Sequence, residues 1–165
     1  MKTAVVALLS LLAVPAAAFA PLVSRPAFTR KGGVAQSHFS TVQTQLKDKD
    51  LLVGALEDIG VTVIVGEAIP VRGYNGQITK AEVAVAQENG QDIGFRFNGN
   101  AYEMVADLEY WGQSSPADFW LEKLTKQYSV NAVMNAASEG GFATEQFVEN
   151  KETGVVQIEL SRYVA

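Results

Sequence analysis

Polar and apolar residues alternate from Ser37 to Leu46, with Phe39, Thr41, Gln43 and Gln45 on one side, which predicts a first strand. Asp48 or Asp50 then caps a helix whose apolar members, Leu51, Leu52, Ala55, Leu56 and Ile59, form one stripe, with Gly60 as its left-handed stop. Val61 to Val65 follows as a β-branched strand.

The centre of the chain reads as a meander whose register the pattern dictates. Ala81, Val83 and Val85 make one face of a strand, and Ile93, Phe95 and Phe97 make one face of the next. These faces coincide only if Glu88-Asn89-Gly90 forms a three-residue loop with Gly90 left-handed. A two-residue turn at Gly99-Asn100 then sets Phe97 opposite Tyr102 and Phe95 opposite Met104. The same register puts Arg96 between Glu82 and Glu103, a structural network, and leaves Asp92 opposite Asp107 as unpaired like charges.

Ser115-Pro116-Ala117-Asp118 is a helix start, followed by a buried stripe of Trp120, Leu121, Leu124 and Tyr128. Val130 to Ala137 reads as a second helical piece closed by Gly140-Gly141, and strands Phe142 to Val148 and Val155 to Tyr163 flank a Glu152-Thr153-Gly154 turn. The expected fold class is α+β: an antiparallel twisted sheet of about six to seven strands with two or three helices packed on one face. No internal repeat or inter-domain linker is visible, so residues 36–165 are expected to form a single α+β domain.

The N-terminus is of another kind. Lys2 precedes an apolar run from Ala4 to Val14 broken only by Ser10, and Ala16, Ala17 and Ala18 give small-residue cleavage positions, so residues 1–18 read as a signal peptide. The run is shorter than the ~20 residues a membrane span needs. From Phe19 to Leu46 there is no acid, while Arg25, Arg30 and Lys31 stand with Ser24 and Thr29, so residues 19–35 have a transit-peptide-like composition. With Ala-Phe-Ala-Pro at 18–21, the two segments resemble the bipartite presequence of algae with complex red-lineage plastids.

Composition narrows the chemistry. The chain has 165 residues, no cysteine and one histidine, His38, which excludes thiolate metal sites, cysteine nucleophiles and any two-histidine centre within one chain. Without Lys2, Arg25, Arg30 and Lys31, nine cations face 18 acids, a net charge of −9. So negative a body repels nucleic acid and suits a basic protein face.

Ser37-His38-Phe39-Ser40, Arg72-Gly73-Tyr74, Thr79-Lys80-Ala81-Glu82, Asp92-Ile93-Gly94-Phe95, and Tyr102-Glu103 with Val105-Ala106-Asp107 occur in that order. Together they resemble the family known as hypothetical chloroplast reading frame thirty-five, over residues 36 to about 163. The connection from Glu109 to Ser115 departs from the family pattern by being longer. The resemblance implies a photosynthesis-associated plastid protein and no established reaction.

Ser37 and His38 point to opposite faces of a strand and no Gly-x-Ser-x-Gly elbow exists, so no catalytic residues are assigned. Arg72-Gly73-Tyr74-Asn75-Gly76 lacks phosphate-loop spacing; Arg72 and Tyr74, with His38 and Lys80, are candidate interface anchors. Asp92 and Asp107 are weak candidates for a divalent cation, and no cofactor is expected. The expected function is a non-catalytic plastid protein docking on a thylakoid photosynthetic complex, first of all photosystem I, as a peripheral subunit or assembly factor. It would sit in the stroma or on the stromal face of the thylakoid, with no membrane span of its own. The alternative is a stromal small-molecule-binding module or enzyme using Arg72, Tyr74 and Asp92.

Overall fold

The computed structural model describes residues 3–11, 38–150 and 153–164. The chain divides into two compact units, one over Gln36–Ala132 and the other joining the N-terminal strand to Val133–Ala165. The α+β class holds, with antiparallel strands and two helices, and the strands are parted between two sheets.

In the first unit, β2 (Phe39–Gln43) leads to α1 (Lys49–Asp58), β3 (Val63–Arg72), β4 (Ile78–Val85), β5 (Ile93–Phe97) and β6 (Tyr102–Asp107). These strands form a five-stranded sheet in the order β2-β6-β5-β4-β3. Asp48 caps α1, its carboxylate accepting from the Leu51 N–H at 2.9 Å. Leu52, Ala55 and Leu56 are fully buried and pack with Val83, Val85, Ile93, Phe95, Met104, Trp120 and Leu124. Burying each of the two leucines contributes about 1.5–3 kcal/mol.

The meander has the register that the pattern dictates: Val83 faces Phe95, Val85 faces Ile93, Phe95 faces Met104 and Phe97 faces Tyr102. Gly90 takes φ 76°, the left-handed geometry that closes the loop. The first strand is shorter than expected, ending at Gln43. There the buried Thr44 hydroxyl turns inward to donate to the Tyr102 carbonyl and accept from the Leu46 N–H. The third strand is longer, running to Arg72 across a register shift between Val65 and Ile69. Such a bulge bends a strand, and Pro70 is tolerated because β3 lies at a sheet edge.

The two helical pieces expected near the C-terminus are one helix, α2 (Ala117–Glu139). No proline or glycine interrupts that span, and Ser129, at the expected break, bonds its hydroxyl to the Thr125 carbonyl at 2.8 Å within the helix. No described helix is long and apolar enough to cross a membrane.

The second unit contains a three-stranded sheet, β1 (Thr3–Leu11), β8 (Val156–Val164) and β7 (Ala143–Glu149), in that spatial order. Thr3–Leu11, read as part of a signal peptide, is here the strand beside β8. The rest of that leader and the transit-like segment 19–35 lie outside the described residues.

Candidate functional site

The five-stranded sheet curls until the ends of its two edge strands meet, and the residues singled out from the sequence gather at that meeting. β3 finishes by crossing toward the start of β5: the Arg72 carbonyl accepts from the Asp92 N–H at 2.7 Å, and the Arg72 N–H donates to Asp92 Oδ2 at 3.1 Å. Two glycines permit the approach. A Cβ on Gly94 of β5 would lie 2.6 Å from Val71 Cγ2, and one on Gly73 would lie 2.6 Å from the Phe39 ring of β2. A short 3-10 turn, Tyr74–Gly76, then carries the chain past β2, where the His38 N–H donates to Gln77 Oε1 at 3.0 Å.

Asp92 is 5% exposed and is not the unpaired carboxylate that register alone suggests. It accepts from Arg72 Nε at 2.8 Å and Nη2 at 2.7 Å, a two-pronged pair, and from the Gln87 N–H at 3.3 Å. Burial by itself would raise the Asp92 pKa; the hydrogen bonds from the Arg72 side chain and from the Arg72 and Gln87 backbone, with the guanidinium charge, outweigh it and hold the carboxyl below its ordinary value. Asp92 in turn raises Arg72 through the same hydrogen bonds and its charge. Both oxygens of Asp92, a weak candidate for a divalent cation, thus already face the Arg72 guanidinium. No cluster of three or more potential metal-ligating side chains exists among the described residues.

Asp107, at the end of β6, is 2% exposed. Its Oδ2 accepts from the Tyr74 N–H at 3.2 Å, whereas Oδ1 is buried without a hydrogen-bond partner among the described residues. Above it the aromatic rings form a file. Tyr74 stacks on Tyr110 with centroids 4.0 Å apart and planes 3° from parallel, and His38 meets Tyr74 edge-on at 5.7 Å. His38 Nδ1 lies 3.4 Å from Glu109 Oε2, an ion pair when the imidazole is protonated. The Tyr110 hydroxyl titrates above its ordinary value, chiefly through its hydrogen bond with Tyr74, with desolvation and nearby carboxylates adding to the shift. Tyr74 and Tyr110 are 38% and 37% exposed, so the stacked pair presents ring surface to solvent.

His38, Arg72, Tyr74, Asp92 and Asp107 thus converge on one rim. Lys80 does not join them: it is exposed on β4 opposite Pro70. The Arg96 network is corrected in one partner. Arg96 Nη2 donates to Glu103 Oε2 at 3.3 Å, but Glu82 accepts instead from the Phe97 N–H at 2.9 Å, because its carboxylate reaches the neighbouring backbone. Hydrogen bonds from Asn98 and Gln43, and then from Arg96, hold Glu103 below the usual carboxylate range against the effect of burial. Glu109 and Tyr110, on the short 3-10 turn after β6, were missed by sequence reasoning. The longer Glu109-to-Ser115 connection was the one signal that pointed at them.

A family model described as a protein of unknown function, DUF1257, matches residues 55–158. The chain is 41% identical over 127 residues to the protein named uncharacterized protein ycf35 of Guillardia theta, covering 77% of this chain and 98% of the relative. It is 32% identical over 127 residues to the ycf35 protein of Pyropia yezoensis, with the same coverage, and 26% identical over 127 residues to that of Cyanophora paradoxa. No solved structure matches the chain. A family match over most of the folded chain and a relative spanned almost end to end carry one conclusion: the chain belongs to the ycf35 family of plastid proteins.

Proposed function

We propose that the chain is a non-catalytic protein of the plastid that docks on a thylakoid photosynthetic complex, photosystem I first, as a peripheral subunit or assembly factor on the stromal side. The observation that carries this reading is the His38–Tyr74–Tyr110 file, an exposed aromatic surface edged by the Glu109 carboxylate. Arg72 already has its counter-charge in Asp92, so the exposed negative charge beside the rings is the Glu109 carboxylate, 3.4 Å from His38 Nδ1. A fitting partner brings lysine or arginine side chains. A cation over a phenol face gains about 0.5–2 kcal/mol, and the net charge of −9 left once the four cations of residues 1–35 are removed steers the encounter. Membership of a plastid family supports that compartment, and the resemblance of residues 1–35 to a bipartite presequence agrees with it.

The test is migration. The tagged chain is expected to run with a large pigmented complex in a native gradient, and Tyr74→Ala with Tyr110→Ala is expected to release it at an unchanged melting temperature. A chain that runs only as a free small protein, or a double variant that stays attached, refutes the reading.

One atom favours a second reading, a stromal module that binds or transforms a small molecule: the buried Oδ1 of Asp107. A ligand there must supply a hydrogen-bond donor. Asp107→Asn would then abolish ligand binding and leave any association with a complex intact, whereas the docking reading ties loss of association to the tyrosines.

A further inference from the structure

β1 and β8 run antiparallel through nine matched positions, from Thr3 opposite Val164 to Leu11 opposite Val156. With β7 on its other side, β8 is the middle strand of its sheet. Its alternate residues Val156, Ile158 and Leu160 are 2%, 3% and 7% exposed, while Gln157 is exposed and Glu159 half-buried. The family match covers residues 55–158 and does not reach β1. Loss of the leader uncovers a row of backbone donors and acceptors along β8 and leaves β7–β8 as a two-stranded hairpin, which is marginal alone.

We propose that in the processed chain β8 of a second copy takes the place of β1, joining two β7–β8 hairpins into one four-stranded sheet. This rests on reading residues 1–18 as a removable leader and is independent of the docking partner. The edge accepts an antiparallel strand, and a strand meets its own copy antiparallel about a two-fold axis. The apolar faces join only when even-numbered positions face even-numbered positions. With Ile158 opposite its own counterpart, Val156 falls opposite Leu160 and Gln157 opposite Glu159, and no like charges meet. Centring the pair on Glu159 sets two carboxylates against each other, and centring it on Leu160 sets Ile158 against Arg162. The Ile158-centred register satisfies both the apolar face and the charges.

The experiment uses the chain isolated from plastids, with its N-terminus read by mass spectrometry and its mass by light scattering. The full chain made in a host that does not process it is the comparison. The processed chain is expected to be a dimer and the full chain a monomer. Gln157→Glu places a second carboxylate opposite Glu159 at both symmetric positions and is expected to weaken the dimer about tenfold. Gln157→Lys, which pairs a cation with Glu159, is expected to hold or tighten it. A processed chain that lacks residues 3–11 and is monomeric, or a dimer that responds alike to both variants, overturns the proposal. An isolated chain that retains Met1 overturns the leader reading, and the proposal with it.

Discussion

Replacing Gly94 with alanine isolates the close approach on which the rim depends. The added Cβ would lie 2.6 Å from Val71 Cγ2 and 2.9 Å from the Ala81 Cβ. Carbon atoms pack at about 3.5–4.0 Å, so each neighbour must give by about 1 Å. Val71 has a rotamer to change, but Ala81 has only its backbone, so β4 itself must shift away from β5. Val71 is fully buried, and the next residue, Arg72, is tied to Asp92 through its backbone N–H and carbonyl. Overpacking of this kind costs up to about 3 kcal/mol. The extra methyl returns about 0.8 kcal/mol of burial, and the stiffer unfolded chain about 0.4 kcal/mol or more. The expected net loss is therefore about 2 kcal/mol, or about 4–8 °C in melting temperature for a chain of this size. Urea unfolding followed by tryptophan fluorescence reads it, since Trp120 packs in the same core as Phe95. Trimming the obstacle supplies the control. In the Val71→Ala/Gly94→Ala double variant the new methyl occupies space that Val71 vacates, so the two effects should fall short of additivity by about 1 kcal/mol. A Gly94→Ala variant as stable as the parent, or strict additivity in the double variant, would refute the argument.

Further outcomes are expected elsewhere. Asp92 titrates below its unfolded value of about 3.9, so the stability it contributes is complete above about pH 4 and is lost as pH falls through its lower folded value. The gap in urea midpoint between the parent and Asp92→Asn should accordingly narrow below pH 4; equal gaps at neutral and strongly acid pH would count against the pairing. Thr44→Val leaves the Tyr102 carbonyl and the Leu46 N–H without their hydroxyl and should cost about 1–3 kcal/mol, with Thr44→Ser recovering most of it in the same unfolding assay. Asp48→Ala removes the α1 cap and should cost about 1 kcal/mol, read as a lower midpoint without a change in slope.

The meander was legible because its constraints are local. Alternation fixes which side each residue takes, and a left-handed glycine in each loop, Gly90 and Gly99, fits the loop lengths that the pattern requires, so Val83–Phe95 and Phe95–Met104 follow from the pattern. The Arg72–Asp92 pair was not legible in that way. Its members are 20 positions apart and become neighbours only because the sheet curls. The curl depends on the bulge between Val65 and Ile69 and on the missing side chains at Gly73 and Gly94, and none of these alters a hydrophobic period. A glycine inside an otherwise apolar strand was nonetheless a usable sign of close backbone approach. The continuous α2 was misread for the opposite reason: Ser129 looks like a break, yet its hydroxyl finds a carbonyl one turn back and the helix runs on.

The curl also changes what a partner of the rim would encounter. Read along the sequence, Arg72 is the obvious anchor, a cation beside an aromatic in a glycine-rich turn. In the folded chain its guanidinium is committed to Asp92, and its other service is main-chain, securing the end of β3 to the start of β5. Beside that paired and half-exposed guanidinium, the stacked Tyr74–Tyr110 pair also faces outward, bordered by His38 and Glu109. Under the docking proposal, a surface of phenol faces and the Glu109 carboxylate would favour cationic side chains, the reverse of the anionic partner that an arginine-led loop would favour. Arg72 therefore belongs to the scaffold, and the two variants should separate accordingly: Arg72→Met is expected to lower stability and disturb binding only as far as the rim loosens, whereas Tyr110→Ala is expected to leave the fold intact and remove the binding.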